Sequence, residues 1–223
     1  MSHSSGRLPL MLHAFRLLAT LAVGCVFRFR RLTRRRLFRA AVAALFGRLA
    51  PRYDAMWGRM AGGLETYTAP LRQALRDPLI GEAPRRVLDV GCGTAVASRA
   101  VAERFAGVPI VGLDLAPAML HQARLVWADR RPALLCVAGD AASPPFAPGS
   151  FDLVVVMNAP PEPEAVRELL APGGRAVFAY SLPYTPMVRP AIRRRLAEAG
   201  FARASVRPSG LGVLVIAHRD EGT

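Results

Sequence analysis

A short apolar run that ends in two closely spaced glycines is the first feature of the sequence with chemical meaning. It lies within RRVLDVGCGTAVASRA, residues 85–100, where Gly91 and Gly93 leave the backbone open to close approach by a ligand. Asp89 precedes this pair, and its carboxylate would repel a pyrophosphate but attract an ammonium group. Val96 stands where the dinucleotide-binding GxGxxG pattern needs a third glycine. The turn therefore predicts a zwitterionic ligand rather than a dinucleotide.

Two more acids follow short apolar runs further along the chain. Asp114 ends the run IVGLD, 25 positions after Asp89, where a carboxylate suits the two hydroxyls of a ribose. Asp140 follows the next run, in VAGDA, and is placed to reach the amino group of an adenine. A single acid at the end of a strand is usually a helix cap or a solvated turn residue. Three acids after successive strands instead indicate a nucleoside that carries an ammonium group.

The elements that must position these acids alternate between β-branched runs and helical segments. The predicted strands are residues 86–90, 110–113, 134–138, 153–157, 176–180, 204–207 and 213–217. The predicted helices are residues 96–105, 117–127, 163–170 and 187–199. This alternation indicates parallel crossover units, and hence an α/β sheet that is covered on both faces. Ligands of such sheets bind beyond the carboxyl ends of the strands.

Four ordered segments resemble the motifs of the class I S-adenosylmethionine (SAM)-dependent methyltransferases: VLDVGCGTA, GLDLAPAML, GDAASPPFAPGSFDLVVV and LAPGGRAVFAY. The resemblance extends from about residue 46 to residue 181, and FGRLAPRYDAMW is similar to a segment of the ubiquinone and menaquinone C-methyltransferases. It implies a Rossmann-like, doubly wound α/β fold with a mostly parallel seven-stranded sheet and an antiparallel last strand at residues 213–217. Ala95 stands where many relatives have a third glycine, and it must accept the same close packing.

The resemblance also implies roles for individual residues. The methionine end of SAM would lie at the first motif, the ribose at Asp114, and the adenine between Leu115 and Met119, with its edge at Asp140 and Ala141. Tyr53, the tyrosine of the "YD" pair in FGRLAPRYDAMW, would help to close the cofactor site. The full set of implied cofactor contacts is Tyr53, Asp89, Gly91, Cys92, Gly93, Asp114, Leu115, Met119, Asp140, Ala141 and Asn158.

Few residues are available for a methyl acceptor. Asn158 would lie near the transferred methyl group, and Tyr180 and Tyr184 are further candidates for an acceptor pocket. The sequence identifies neither a catalytic base nor a metal site. Methyl transfer from a sulfonium is an in-line displacement that depends mainly on alignment and exclusion of water. The segment NAPPEPEA after the fourth strand is short and a basic, apolar arm precedes the domain, so we expect a small or lipid-like acceptor.

Most of the formal net charge of +14 lies in an N-terminal arm, residues 1–53, which has 11 arginines and no acid. Residues 54–223, the predicted methyltransferase domain, hold 19 arginines and 16 acids. Residues 8–27 are apolar but contain Arg16, so a bilayer span is the less favourable alternative there. Residues 37–49 predict a basic amphipathic helix, which either binds an anionic membrane surface or caps the domain's own core.

Cysteine usage and motif spacing limit the location and the function classes. Three widely separated cysteines predict no disulfide framework and fit a cytoplasmic protein, which the basic arm could place at the inner face of the membrane. We favour a SAM-dependent methyltransferase (EC 2.1.1). The alternatives are a nucleic-acid methyltransferase, a nicotinamide-dependent oxidoreductase and a SAM-binding protein without methyl transfer. NAPP lacks the aromatic residue on which a flipped base would stack, so nucleic acid is not the expected partner. The oligomeric state is not predicted.

Overall fold

The computed structural model describes residues 36–61, 63–181, 185–201, 203–210 and 212–221, and a seven-stranded sheet lies at its centre. The strands are β1 (Val87–Val90), β2 (Ile110–Asp114), β3 (Leu135–Ala138), β4 (Phe151–Met157), β5 (Leu170–Tyr180), β6 (Arg203–Ser209) and β7 (Gly212–His218). Their order across the sheet is β3-β2-β1-β4-β5-β7-β6. Neighbouring strands from β3 to β5 are parallel, whereas β7 is antiparallel to both β5 and β6. This topology confirms the predicted fold.

Helices surround the sheet and precede it in the chain. Those of the described residues are α1 (Arg36–Leu49), α2 (Tyr53–Ala61), α3 (Leu64–Leu75), α4 (Val96–Arg104), α5 (Pro117–Trp127), α6 (Pro163–Leu169) and α7 (Thr185–Glu198). The last four lie within two residues of the predicted bounds. Helix α3 was not predicted, because Pro70 lies inside it and proline usually ends a helix. Its buried residues Tyr67, Leu71 and Leu75 nevertheless recur at helical spacing.

Each face of the sheet packs against its own hydrophobic core, and strand β4 shows this division most clearly. Val154 and Val156 belong to a cluster that includes residues of α6 and α7. Leu153 and Val155, which point to the opposite face, belong to a cluster with residues of α3, α4 and α5. Because both faces are buried, the central strands are apolar throughout rather than alternating.

Helix α1 presents two different stripes. Phe38, Val42 and Phe46 are partly buried on the side that contacts α5, whereas Leu37 and Leu45 are 86% and 55% exposed. The predicted amphipathic helix therefore does cap the domain, but only with its inner stripe. The apolar segment 8–27 lies outside the described residues. Within the described part of the chain, every helix falls short of the length and apolarity needed to cross a bilayer.

Candidate cofactor site

The strand order brings the predicted site residues to one edge of the sheet. Asp140 follows β3, Asp114 ends β2, the glycine turn follows β1, and Asn158 follows β4. Because these strands are parallel and lie in the order β3-β2-β1-β4, the four features form a row in that same order. Chain connections leave β1 and β4 in opposite directions, and the crevice between such strands is where α/β sheets bind ligands.

The turn after β1 is built from three residues in left-handed conformations. Gly91, Gly93 and Ala95 have φ angles of 68°, 54° and 67°. A Cβ at position 91 would lie 2.6 Å from the Cβ of Ala159, so the loops after β1 and β4 touch there. A Cβ at position 93 would meet none of the described residues within 4 Å, apart from its neighbours in the chain, so this stretch of backbone is open on that side. Such a cradle fits a ligand that approaches the main chain closely.

Strand β2 anchors the turn from one side. The amides of Gly91 and Cys92 both donate to the carbonyl oxygen of Leu113, at 2.8 and 3.0 Å. The amide of Gly93 donates to Oδ2 of Asp114 at 2.8 Å. The thiol of Cys92 is buried, and burial raises its pKa well above the usual value. Residue 92 therefore offers a ligand its backbone rather than a thiolate.

The carboxyl group of Asp89 lies wholly inside the protein. Its Oδ2 accepts a hydrogen bond of 2.6 Å from the hydroxyl of Ser98, whereas Oδ1 has no partner among the described residues. Burial raises the pKa of Asp89 to about 7, and the nearby charge of Asp114 adds to the increase. A buried carboxylate oxygen without a donor is unfavourable unless a cationic donor approaches it. This oxygen therefore fits an ammonium group, as the sequence predicts.

Asp114 closes the turn and starts the next helix. Its Oδ1 accepts from the amide of Ala116 at 2.8 Å, while Oδ2 accepts from Gly93. Burial raises the pKa of Asp114. Each carboxylate oxygen has a further lone pair, so the side chain retains acceptor capacity for a pair of hydroxyl groups. Leu115 is half-buried beside it, and Met119 is buried in a small cluster with the N-terminal helices.

Asp140 carries a contact that the sequence did not predict. Its Oδ1 accepts from the amide of Ala142 at 3.0 Å, and its Oδ2 pairs with the guanidinium of Arg39 on α1. Ala141 is half-buried next to it. The N-terminal arm thus reaches the end of the row where an adenine would bind.

A row of aromatic rings crosses the same edge of the sheet. Phe46 and Tyr53, Tyr53 and Trp57, and Trp57 and Tyr67 have ring centroids 6.0, 6.1 and 6.0 Å apart. Burial raises the pKa of Tyr53, with smaller contributions from Tyr67 and from the charge of Asp114. Tyr53 therefore lies close to the end of β2.

The amide of Asn158 connects the ends of β4 and β5. Its Nδ2 donates to the hydroxyl of Ser181, and its Oδ1 accepts from the amide of Ser181, both at 2.9 Å. The hydroxyl of Ser181 donates to the carbonyl oxygen of Tyr67, and the side chain of Tyr67 also hydrogen-bonds with Asn158. Sequence analysis identified Asn158 but not these two partners. Tyr180 is buried in the core, and Tyr184 lies outside the described residues.

Comparisons with known proteins identify the kind of domain to which this chain is similar. A family profile described as "Methyltransferase domain" matches residues 87–174. The chain is 36% identical over 142 residues to a demethylmenaquinone methyltransferase of Thermus thermophilus. This alignment covers 60% of this chain and 62% of that protein. It is also 36% identical over 153 residues to a 2-phytyl-1,4-naphtoquinone methyltransferase of Thermosynechococcus vestitus, covering 65% and 66%.

Solved structures show the same architecture. A SAM-dependent methyltransferase from Mesorhizobium loti superposes with a TM-score of 0.53 at 19% identity, covering 70% of this chain and 100% of that chain. The chain spans roughly two thirds or less of the length of the curated relatives, 62% and 66% for the two named above. The motifs, the sheet topology and the profile match identify residues 87–174 as a class I SAM-dependent methyltransferase domain, in a chain whose sequence is similar to the quinone C-methyltransferases.

Proposed function

We propose that this protein transfers the methyl group of SAM to a small, lipophilic acceptor. The row along the sheet edge carries the proposal, because its chemistry changes in the order that SAM requires. Asp140 and Asp114 supply acceptors for the adenosyl end, and the open backbone at Gly93 and the unpartnered oxygen of Asp89 suit the amino-acid end. Asn158, at the far end of the row, would face the methyl group.

Each part of the row has a stated role in this proposal. Asp114 binds the two ribose hydroxyls, Leu115 and Met119 flank the adenine, and Asp140 with Ala141 takes the adenine edge. The backbone of Gly91, Cys92 and Gly93 holds the methionine end, and Asp89 compensates its ammonium group. When bound, SAM supplies an electrophilic methyl group on a sulfonium. Tyr53 covers the bound cofactor, which excludes water from the crevice.

The aromatic row favours a lipophilic acceptor. Tyr53, Trp57 and Tyr67 form a continuous row of packed rings that runs from the end of β2 toward Asn158. Only residues 158–162 separate β4 from α6, which leaves little chain to recognise a large polar substrate. Two relatives are named as methyltransferases of quinones, which are flat, lipophilic rings. We therefore propose a reduced naphthoquinone or a similar ring as the acceptor, with a ring proton lost to solvent as the methyl group is added.

Cofactor binding gives the first test. S-adenosylhomocysteine (SAH), added at about 100 times its dissociation constant, stabilises a protein by about 2.7 kcal/mol, which we expect to raise the midpoint of thermal unfolding by about 5 to 10 °C. NADH at the same concentration should leave the midpoint unchanged. The reverse pattern would show that the crevice is a dinucleotide site.

Methyl transfer gives the second test. The protein is incubated with SAM and reduced demethylmenaquinone, and the extracted lipid is analysed by mass spectrometry. A product heavier by one methylene supports the proposal. Binding of SAH without any methylated product, across quinol, phenol and fatty-acyl acceptors, would instead identify a SAM-binding protein that does not transfer methyl groups.

The outer stripe of α1 supports a finer proposal, that the protein is cytoplasmic and binds an anionic membrane surface. Leu37 and Leu45 are largely exposed there, Arg48 is exposed on the same side, and the arm as a whole has no acid. Exposed apolar side chains among arginines are typical of helices that lie in the headgroup region. In this proposal the arm, residues 1–53, holds the domain, residues 54–223, close to a lipophilic substrate.

Vesicle sedimentation tests the membrane proposal. We expect binding to vesicles that contain phosphatidylglycerol, weaker binding to phosphatidylcholine alone, and loss of binding as salt rises. Leu45→Asp should weaken vesicle binding, whereas Leu125→Asp, which changes a comparably exposed leucine (58%) on α5, should not. Equal partitioning of the two variants would remove α1 from the proposed membrane contact.

A further inference from the structure

Asp54 connects the N-terminal helices to the glycine turn, although no motif assigns it a function. It is the second residue of α2 and follows Tyr53 directly. Its Oδ1 accepts a hydrogen bond from the hydroxyl of Thr94, and its Oδ2 accepts from Nη2 of Arg99 at 3.1 Å. Both oxygens of one carboxylate are thus used by a segment that begins 40 residues later in the chain.

The position of Thr94 within the turn makes this contact important. Gly93 and Ala95, which flank it, are both left-handed, with φ of 54° and 67°. For alanine this conformation is less favourable than for glycine. Ala95 is also the N-cap residue of α4 and supplies no side-chain cap, so the start of that helix depends on acceptors from other parts of the chain, such as Asp89, which accepts from Ser98. A turn of this kind keeps one conformation only when its surroundings determine it.

The anchors of the turn come from two parts of the molecule. On one side, β2 supplies the acceptors. The carbonyl oxygen of Leu113 accepts from the amides of Gly91 and Cys92, and the carboxylate of Asp114 accepts from the amide of Gly93. On the other side, Thr94 is 3% exposed and its hydroxyl donates to Asp54. The turn is therefore held from two sides, by β2 and by Asp54 of α2, and we call this arrangement the clamp.

Arg99 makes the clamp a charged one. Its guanidinium lies in the first turns of α4 and pairs with Asp54, while Asp54 itself lies in the first turn of α2, where a negative charge is favoured by the helix dipole. The two side chains are 22% and 27% exposed, so solvent screens their attraction only in part. Hydrogen bonds to charged groups are stronger than those between neutral groups.

We propose that Asp54 is a positioning residue for the cofactor site: by holding Thr94 and Arg99, it fixes the glycine turn and sets Tyr53 over the crevice. The inference rests on the proposed function, because the ligand that benefits is SAM. Asp54 does not touch the cofactor in this scheme. It determines whether the open backbone at Gly93 and the ring of Tyr53 are presented together.

Calorimetric titration with SAH tests the proposal. Asp54→Asn and Thr94→Val should each raise the dissociation constant by about tenfold to a hundredfold. Thr94→Ser keeps the hydroxyl and should restore binding to near the wild-type value. The double variant should bind no more weakly than the weaker single variant, because both substitutions remove the same contact. With an active acceptor, the KM for SAM should rise while kcat changes little.

A second ion pair provides the matched control. Asp77 pairs with Arg207 at a distance from the crevice, so Asp77→Asn also breaks an aspartate–arginine contact. This variant should bind SAH like the wild type even if its thermal midpoint falls. If Asp54→Asn does not fold, the comparison of Thr94→Val with Thr94→Ser decides the question.

The outcomes separate this inference from the proposed function. If the wild-type protein does not bind SAH, the proposed function is wrong. If it binds SAH and Thr94→Val binds equally well, the proposed function stands and the positioning role of Asp54 is overturned.

Discussion

At the scale of single residues, the ionisation of Asp89 links stability to ligand binding. An aspartate in an unfolded chain has a pKa of about 4. In the folded protein, burial raises the pKa of Asp89 to about 7. The folded state therefore binds more protons between these values. Its stabilising contribution is complete below about pH 4 and is lost as the pH rises through 7.

Asp89→Asn should therefore change how stability depends on pH. Between pH 6 and pH 8 the wild-type protein without ligand should lose about 1 kcal/mol of unfolding free energy from this group, and the variant should not. Urea unfolding at both pH values measures the difference. Parallel losses in the two proteins would show that Asp89 ionises normally.

The same carboxyl group should make SAH binding depend on pH. Only the ionised form attracts an ammonium group, so the dissociation constant should fall by about tenfold per pH unit as the pH rises toward 7, and then level off. Asp114 and the hydroxyl of Ser98 also face this group and are present in both proteins. Asp89→Asn should bind weakly and without this slope. A sloping profile in the variant would assign the dependence to another group.

Ala95 is a position at which we expect a substitution to stabilise the protein. Sequence analysis treated its methyl group as a matter of packing, but the structure shows that the backbone conformation at φ 67° is the larger issue. Ala95→Gly should therefore stabilise the protein by about 1 kcal/mol or slightly less. Ala97→Gly, two residues later inside α4, should destabilise it by about 1 kcal/mol. Denaturant midpoints of the two variants that shift in the same direction would contradict this account.

At the scale of elements, the two stripes of α1 make neighbouring residues behave differently. Phe46 packs against the cluster of Met119, while Leu45 is largely exposed. Phe46→Ala should destabilise the docking of α1 by about 1 to 2 kcal/mol, less than for a fully buried ring. Leu45→Ala should change stability by less than about 0.5 kcal/mol. Hydrogen exchange of the amides of α1 measures the docking directly, and equal exchange in the two variants would exclude a one-sided helix.

The elements could largely be predicted from the sequence because most follow a simple period. Helix α5 has the predicted bounds, since Pro117 starts it and Trp127 ends its buried stripe. Strand β5 begins six residues before its predicted start, because Gly173 and Gly174 resemble a turn but lie within the strand. Helix α3 was missed because Pro70 masks a regular buried stripe. In both cases tertiary packing overrides a local signal.

At the scale of the whole molecule, β7 completes the sheet by lying between β5 and β6. It enters close to β5, and a Cβ at Gly212 would collide with the carbonyl oxygen of Tyr180. Gly212→Ala should therefore destabilise the protein by about 2 kcal/mol or more. Gly47→Ala, whose new Cβ would make an ordinary contact of 3.7 Å with Ala118, should be neutral or stabilising. Similar urea midpoints for the two variants would contradict the tight approach of β7 to β5.

The site as a whole was predictable only where it follows the strand ends. Asp89, Asp114, Asp140 and Asn158 lie at the positions that the alternation of strands and helices indicates. Contacts from the N-terminal helices were not predictable, because pairs such as Arg39 with Asp140 depend on how a separate helix docks. The spacing of apolar residues within a helix does not indicate where on another element the helix will dock.

Because α1 has one docked side and one exposed side, deleting the whole arm would not isolate its proposed role at the membrane. Removing the arm would take away not only its outward leucines but also Arg39, which pairs with Asp140, and the ring of Phe46, which packs against the cluster of Met119. A shortened chain that no longer sediments with lipid would therefore be ambiguous, since a damaged pocket and a missing anchor give the same result. Single substitutions that place a charge on the solvent side of α1, a helix of 14 residues, would distinguish a missing anchor from a damaged pocket.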